Sequence, residues 1–268
     1  MNSGAALDPD GGKVQSIIDR PTIGGETEPQ CIVVAGATGG IGSAFCAQLA
    51  RRFPASRIIR LARRPEDGIA LSIETVDVPL DIGAEKGIEA AVAEIPKDKS
   101  IDWVFVATGW LHDQEHTPEK TYKSLDADHL MRAYQLNAVG PALLLKHLFA
   151  ELDPTHPCKV GVLSARVGSI SDNRLGGWHA YRASKAALNM LIKNFAIELS
   201  RTSQERIIVG LQPGTTDTAL SKPFQRNVPQ GQLQSPEYTA AQLLRVMQAL
   251  RQEDSGSLLD FLGIPFDP

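Results

Sequence analysis

The sequence predicts an α/β fold in which a doubly wound parallel sheet of about seven strands carries helices on both faces. Three observations predict it. Short runs rich in β-branched residues alternate with segments of helical periodicity from residue 31 onward. Most of these runs are apolar almost throughout, as parallel strands covered on both faces should be. Glycine or polar residues follow directly after several runs, at the sheet edge where such folds bind ligands.

Taken in order, most of the runs end at a glycine, a proline or a polar residue, and a segment with apolar residues three and four positions apart follows most of them. The clearest helix covers residues 180–200, with apolar positions at Leu188, Leu191, Ile192, Phe195 and Leu199. These patterns predict strands at 31–35, 57–62, 72–78, 101–107, 158–163, 206–212 and 257–260. They predict helices at 40–52, 84–94, 125–136, 138–152, 180–200 and 236–251.

Length and composition indicate a single globular domain over residues 31–268, preceded by an extension at residues 1–30. The chain has 268 residues, of which 43% are hydrophobic and 22% charged, which suffices for one sizeable core. The first 30 residues are rich in Gly, Pro and Asp, and we expect them to be flexible. A net charge of -4 argues against a nucleic-acid partner, which needs a basic surface.

The predicted compartment is the cytoplasm, with no membrane partner. No apolar run reaches the length of a membrane span, and the N-terminus lacks the apolar core of a signal peptide. Cys31, Cys46 and Cys158 are widely spaced and lie in or beside apolar segments. They therefore predict buried thiols and neither a disulfide framework nor a metal site.

A glycine-rich turn joins the first predicted strand to the first predicted helix. Gly36, Gly40 and Gly42 give the spacing G-x-x-x-G-x-G. Glycine permits positive φ and close approach of a ligand, and the free N–H groups of a helix start suit a pyrophosphate. The alternative is a strand–helix turn that is merely rich in glycine. The strand–turn–helix context favours dinucleotide binding.

The second predicted strand ends at Ala62-Arg63-Arg64. A carboxylate at this position would bind the ribose hydroxyls of NAD, whereas arginine suits the 2′-phosphate of NADP. No acidic residue occurs there before Glu66. The sequence therefore predicts NADP as the cofactor, with NAD less favoured and a solvated basic turn as the alternative to both.

Tyr181 and Lys185 are four residues apart in the predicted helix 180–200 and share one of its faces. A nearby ammonium favours the phenolate and should lower the pKa of the tyrosine from about 10. Such a tyrosine can exchange a proton with a carbonyl oxygen. The alternative is a surface Tyr–Lys pair, because the spacing alone is common.

His112-Asp113-Gln114-Glu115-His116 matches the H-x-x-E-H motif of some zinc proteases, which requires a helix. Thr117-Pro118-Glu119 follows at once and predicts the start of a helix. The histidines would then lie in a loop before that helix, so we predict no metal centre here.

In combination, Gly36–Gly42, Asn137, Tyr181-x-x-x-Lys185 and Pro213-Gly214 resemble the short-chain dehydrogenase/reductase family. The resemblance runs from about residue 31 to the C-terminus. The segment from Ser164 to Lys185 resembles the C-factor and sniffer-like carbonyl reductase branch. The family implies a Rossmann-type fold and a homodimer or homotetramer, assembled through the helices near 125–152 and 180–200.

The resemblance also implies roles. Tyr181 would be the general acid of reduction and the base of oxidation, Lys185 would lower its pKa and bind the nicotinamide ribose, and Asn137 would hold a water of the proton relay. The alternative for Asn137 is a helix-interior residue bonding backbone. The implied cofactor contacts are Gly36, Thr38, Gly39, Gly40, Ile41, Gly42, Arg63, Arg64, Asp81, Ile82, Ala107, Thr108, Gly109, Asn137, Tyr181, Lys185, Pro213, Gly214, Thr216 and Thr218.

The chain departs from the family pattern where the substrate-binding serine is expected. That serine normally lies three residues before a glycine, and counting back from Gly168 gives Ala165. Ser164 is the first choice for the fourth catalytic residue, with Ser169 and Ser171 as alternatives. Ala35 also replaces the usual threonine before the glycine turn, and Ala107-Thr108-Gly109 replaces Asn-Ala-Gly.

The leading hypothesis is an NADP(H)-dependent oxidoreductase acting on a small carbonyl substrate or secondary alcohol. The alternative is a non-catalytic NADP(H)-binding sensor, and a dehydratase or epimerase is a minor possibility. Residues 219–234 follow a strand end and should cover the site as a mobile lid. Trp110, Leu111 and Trp178 could add an apolar pocket, or belong to the core or a subunit interface.

Overall fold

A single sheet of seven parallel strands organises the computed structural model, which describes residues 15–21, 27–202 and 205–268. The strands are β1 (Cys31–Ala35), β2 (Arg57–Ala62), β3 (Glu74–Pro79), β4 (Trp103–Val106), β5 (Cys158–Leu163), β6 (Arg206–Gln212) and β9 (Leu258–Asp260). Their order is β3-β2-β1-β4-β5-β6-β9, and each neighbouring pair is parallel. Strands β7 (Thr215–Thr216) and β8 (Leu233–Gln234) form a separate small pair.

Helices cover both faces of this sheet. They are α1 (Gly40–Arg52), α2 (Glu85–Ala93), α3 (Ala127–Tyr134), α4 (Gly140–Glu151), α5 (His179–Thr202) and α6 (Pro236–Ala249). Val33 of β1 belongs to the core that contains Leu144 and Leu188, whereas its neighbour Val34 belongs to the core that contains Phe45 and Leu243. Alternate residues of one strand thus enter opposite layers, which confirms the predicted doubly wound Rossmann-type architecture.

The differences from the predicted elements are local. The third strand begins at Glu74 and not at 72, and the fourth is the shorter Trp103–Val106. Helices α3 and α4 are joined without a break by a π-helical turn, Gln135–Val139. The helix start predicted at Thr117 is wrong, because residues 112–120 are irregular.

Part of the N-terminal segment packs on the last strand region of the same chain. Ile17 is buried, and its N–H donates to the carbonyl of Gly263 at 3.0 Å. Arg20 Nη1 bonds both carboxylate oxygens of Asp254 at 2.9 Å. Residues 1–14 and 22–26 of the predicted extension lie outside the described residues.

The three cysteines are buried and unpaired, as predicted. Burial raises the pKa of the Cys31 thiol to about 11 and those of Cys46 and Cys158 to about 12. Such thiols are unreactive at neutral pH. In the described part of the chain, none of the helices has the length and apolar character required to cross a bilayer.

Candidate active site

The turn between β1 and α1 can be built only from glycine at two of its positions. Gly36 has a φ of 78°, and a Cβ there would lie 2.9 Å from the carbonyl carbon of Ala107. A Cβ on Gly42 would lie 2.1 Å from the oxygen of Gly36. The N-cap residue of α1, Gly39, offers no side-chain bond, so the first N–H groups of the helix stay available to an anion.

Residues around this turn fit a dinucleotide. Thr108 lies two residues beyond the end of β4, and its hydroxyl is buried without a partner among the described residues. Buried hydroxyls are normally hydrogen-bonded, so this one is suited to a ligand. The methyl group of Thr218 lies over Gly40, 2.6 Å from where a Cβ would stand. The glycine turn, Thr108 and Thr218 therefore line the same edge of the sheet.

The two arginines after β2 differ in their surroundings. Both are exposed, and Arg64 Nε pairs with Asp67 Oδ2 at 3.1 Å. Arg63 has no side-chain partner among the described residues. Arg63 is therefore the cation that is free to meet a phosphate.

Two of the implied cofactor contacts, Asp81 and Ile82, lie in the turn after β3. Asp81 Oδ1 accepts the N–H of Gly83 at 2.9 Å. The carbonyl of Ile82 packs so closely on the first residue of α4 that a Cβ on Gly140 would lie 2.3 Å from it.

Tyr181 and Lys185 lie on one face of α5, as predicted. Lys185 Nζ is 5.9 Å from the centre of the Tyr181 ring and donates to the carbonyl of Leu163 at 2.9 Å. The Tyr181 hydroxyl has no hydrogen-bond partner among the described residues. It is therefore free to bond a substrate oxygen.

The expected lowering of the tyrosine pKa is wrong for the protein without ligand. Burial raises the pKa of Tyr181 from 10.0 to about 12 and lowers the pKa of Lys185 from 10.5 to about 8. Removal from water disfavours the charged form of each group. At this ring distance the ammonium does not offset that loss of hydration.

Asn137 lies in the π-helical turn and is fully buried. Its Oδ1 accepts the N–H of Trp110 at 2.7 Å, and its Nδ2 donates to the carbonyl of Trp110 at 2.8 Å and to Ser184 Oγ at 3.0 Å. The amide thus ties the loop after β4 to α5. Bonds of this kind to the backbone of Trp110 are what the backbone-bonding alternative expects.

The three candidate serines hydrogen-bond residues other than Tyr181. Ser164 Oγ donates to Asn189 Oδ1 at 2.5 Å, and Asn189 is two turns, about 12 Å, along α5 from Tyr181. Ser169 Oγ accepts the N–H of Asp172 at 3.1 Å, and Ser171 Oγ donates to the carbonyl of Pro268 at 3.1 Å. All three serines are thus engaged in local structure.

The residue counted back from Gly168, Ala165, carries no hydroxyl. Gly168 itself packs directly on α5, since a Cβ there would lie 2.7 Å from that of Lys185. The turn after β5 therefore packs against α5 at Lys185.

After β6, Pro213 and Gly214 turn the chain with a φ of 72° at Gly214. The hydroxyl of Thr216 lies 2.9 Å from that of Thr239, so this side chain bonds within the protein. Thr218 continues toward Gly40, as described above. Of the two threonines predicted to touch the cofactor, Thr218 lies against the glycine turn.

The segment predicted to form a lid lies across the carboxyl edge of the sheet. Leu220 lies beside Gly109: a Cβ on Gly109 would be 3.8 Å from Leu220 Cδ1. The carbonyl oxygen of Leu220 is 3.1 Å from His112 Nε2. Phe224 packs on Trp178 with ring centres 5.1 Å apart. The segment thus spans from the loop after β4 to the start of α5.

Of the other predicted pocket residues, Leu111 is buried. Trp110 packs on the rings of His116 and His129, at 5.7 and 5.2 Å. His112 and His116 lie in the irregular segment, and His116 Nδ1 is 2.9 Å from Asp113 Oδ1. No cluster of three or more candidate metal ligands occurs in the described ranges.

Glu119, which the sequence pattern assigned only to a local helix start, is buried against the first turn of α5. Its carboxylate oxygens each accept the N–H of Ala180 at 3.3 Å, and its backbone carbonyl accepts the N–H of Trp178 at 2.5 Å. His129 Nδ1 lies 3.6 Å from the same carboxylate. The local sequence predicted a helix that starts near Glu119. Glu119 does bond the start of a helix, but that helix is α5, which begins sixty positions further along the chain.

Comparison with known proteins matches residues 30–229 to the family described as short chain dehydrogenase. The 1-hydroxy-2-glutathionyl-2-methyl-3-butene dehydrogenase of Rhodococcus sp. (strain AD45) is 31% identical over 84% of this chain and 93% of its own length. The C-signal protein of Myxococcus xanthus is 30% identical over 52% of this chain and 78% of its own.

Two solved structures share the fold. The NADPH-bound carbonyl reductase from chicken fatty liver has a TM-score of 0.77 at 21% identity, covering 90% of this chain and 100% of its own. The carbonyl reductase Sniffer of D. melanogaster has a TM-score of 0.73 at 19% identity, covering 89% and 99%.

Proposed function

Because the chain belongs to the short chain dehydrogenase family, we propose that it is an NADP(H)-dependent carbonyl reductase or secondary-alcohol dehydrogenase. The observation that carries the proposal is the Tyr181 hydroxyl. It stands on the same helix face as Lys185, at the sheet edge that carries the glycine turn, and has no partner among the described residues.

The proposed chemistry combines a hydride and a proton. When bound, the reduced nicotinamide supplies the hydride that reaches the carbonyl carbon. Tyr181 donates its phenolic proton to the carbonyl oxygen. A pKa raised to about 12 keeps this phenol protonated at neutral pH, which is the state that a proton donor requires.

Lys185 stabilises the phenolate that forms when the proton leaves. With a pKa of about 8, its side chain is mostly an ammonium at pH 7. Its hydrogen bond to Leu163 fixes it beside the Tyr181 ring. Desolvation strengthens this charge interaction relative to water.

NADP is the proposed cofactor because of the charges at the end of β2. Arg63 is an exposed cation without a described partner, and a guanidinium binds phosphate with two hydrogen bonds. The glycine turn and the start of α1 would hold the pyrophosphate, with Thr108 and Thr218 on the same edge.

The test is NADPH consumption with a panel of small ketones, aldehydes and quinones. Tyr181→Phe should reduce turnover by roughly 10²- to 10⁴-fold, the range of general acid catalysis, with NADPH binding kept. Tyr122→Phe is the matched control, because Tyr122 is 68% exposed. Equal activities of Tyr181→Phe and wild type would refute the role of Tyr181.

One observation favours a second candidate, an NADP(H)-binding sensor without catalysis. The family position of the substrate-binding serine holds Ala165, and the neighbouring Ser164 hydrogen-bonds Asn189. If the purified protein binds NADPH but reduces no member of the panel, the sensor is the better description.

A further inference from the structure

Four aromatic rings follow one another in a row that starts at Tyr181. The Trp178 ring lies 6.3 Å from that of Tyr181 and 5.1 Å from that of Phe224. The Phe224 ring lies 5.4 Å from that of His112. The planes of each pair are inclined by 62–73°. The wall, defined as Tyr181, Trp178, Phe224 and His112, begins at the proposed proton donor itself.

Trp178 is held in a backbone conformation that a bulky residue rarely adopts. Its φ of 52° is the one positive value among the non-glycine residues that the structure describes. For a residue with a large side chain this conformation is strained. Gly176 and Gly177, just before it, have φ values of 63° and 65°, which glycine tolerates.

Two neighbours keep Trp178 in that conformation. The carbonyl of Glu119 accepts its N–H at 2.5 Å, while the Glu119 carboxylate bonds the N–H of Ala180. Arg182 bonds the other side of the turn: its N–H donates to the carbonyl of Trp178 at 2.8 Å, and its Nε donates to the carbonyl of Gly177 at 3.0 Å. The strained turn is thus fixed on both sides.

A glycine at position 178 would adopt this backbone without strain, yet the chain carries its largest side chain there. Persistent strain of this kind marks positions where the resulting geometry is used. Here the geometry directs an indole ring to Tyr181 and Phe224. The strained backbone is therefore explained by a function of the Trp178 ring that it holds in place.

We propose that Trp178 determines specificity by selecting planar aromatic ketones, with the wall as the contact surface for their rings. The inference rests on the proposed reductase function and deepens it. Aromatic pairs prefer offset-stacked or edge-to-face geometry and gain energy beyond their buried area. A saturated ring of similar size has no such quadrupole. One lost ring–ring contact should change kcat/KM by about three- to tenfold.

The experiment compares acetophenone with cyclohexyl methyl ketone, at saturating NADPH, in the full-length enzyme. Because the two ketones differ in intrinsic reactivity, the measured quantity is the change in their kcat/KM ratio from wild type to variant. Trp178→Gly should lower the aryl preference by about three- to tenfold. Trp178→Phe keeps a ring and should keep most of the preference.

Trp178→Gly is also expected to fold, because glycine adopts a positive φ without strain. Its melting temperature should fall by no more than the loss of the ring packing accounts for. Leu175→Ala is the matched control, because Leu175 is 90% exposed in the same loop and its removal should leave the ratio unchanged. A second readout is binding of acetophenone to the enzyme with NADP⁺, which should weaken in Trp178→Gly by the same factor.

The outcomes separate this inference from the proposed function. If wild type reduces both ketones and Trp178→Gly leaves their ratio and acetophenone binding unchanged, the inference is overturned and the reductase stands. If Trp178→Gly slows both ketones equally, Trp178 is structural and the inference is again overturned. If wild type consumes NADPH with no carbonyl compound of the panel, the proposed function fails and the inference fails with it.

Discussion

Replacing Lys185 with methionine should make the ligand-free protein more stable at neutral pH while it lowers catalytic activity. Lys185 is 2% exposed, and burial lowers the pKa of its ammonium from 10.5 to about 8. A tenfold change in a protonation constant corresponds to about 1.4 kcal/mol. Below pH 8, where Lys185 is charged in the folded state, its burial therefore lowers the free energy of unfolding by about 3 kcal/mol. Methionine has similar length and no charge.

The gain is partly offset by the hydrogen bond that the variant loses. Lys185 Nζ donates to the buried carbonyl of Leu163 at 2.9 Å, and leaving that carbonyl without a donor costs about 1 kcal/mol. The expected net stabilisation at pH 7 is therefore about 2 kcal/mol. For a chain of this size it corresponds to roughly 4–8 °C in Tm.

The effect must depend on pH with a definite sign. Between pH 8 and 10.5 the unfolded wild type keeps a proton on this lysine that the folded state has released, so wild-type stability rises with pH in this window. Methionine lacks this dependence. The advantage of the variant should be largest below pH 8 and should disappear as pH approaches 10.5.

Urea unfolding at pH 7 and at pH 10 measures both quantities, and NADPH consumption on the same samples measures the loss of activity. Lys193→Met is the control on the same helix, since Lys193 is exposed and should show no such pH dependence. A Lys185→Met variant that is less stable than wild type at pH 7, or equally more stable at both pH values, would refute the reasoning.

Three further predictions concern the cofactor and the proton. Arg63→Ser should raise the KM for NADPH by at least about tenfold with little effect on NADH, because a charged hydrogen bond is worth about 1.5–3 kcal/mol; Arg64→Ser should do less, since Arg64 is paired with Asp67. The rate of carbonyl reduction, measured against pH, should fall as pH rises through about 8, where Lys185 loses its proton. Gly42→Ala should destabilise the protein by about 1–3 kcal/mol in urea unfolding and abolish NADPH binding, because the added carbon would lie 2.1 Å from the Gly36 oxygen.

The sequence was sufficient for the elements whose pattern is local. Strands β1, β2, β5 and β6 begin and end where predicted. An apolar run rich in β-branched residues and bounded by turn residues favours a buried strand over other structures. The glycine turn was equally predictable, because a Cβ at Gly36 or Gly42 would clash with nearby backbone atoms. The four-residue spacing of Tyr181 and Lys185 placed both on one face of a helix.

Properties that depend on burial or on distant segments were not predictable in this way. The spacing of Tyr181 and Lys185 predicts that they are neighbours on a helix. The direction in which their pKa values change depends on how far the folded protein removes each side chain from water. Ser164 illustrates a second limit. At a strand end, successive side chains point to opposite faces, so a displacement of one residue turns its hydroxyl toward Asn189.

Glu119 shows why the remaining part of the site needed the fold. Its own neighbours predict a helix start, but its partner is the N-terminus of α5, where a carboxylate is favoured by the helix dipole. Through Ala180 it bonds the first turn of the helix that carries Tyr181, and through its backbone it fixes Trp178. Glu119 therefore bonds both the turn that precedes Tyr181, the proposed proton donor, and Trp178 of the wall. A change at Glu119 should accordingly disturb turnover and substrate preference together, whereas a change at Trp178 alone should alter chiefly the preference.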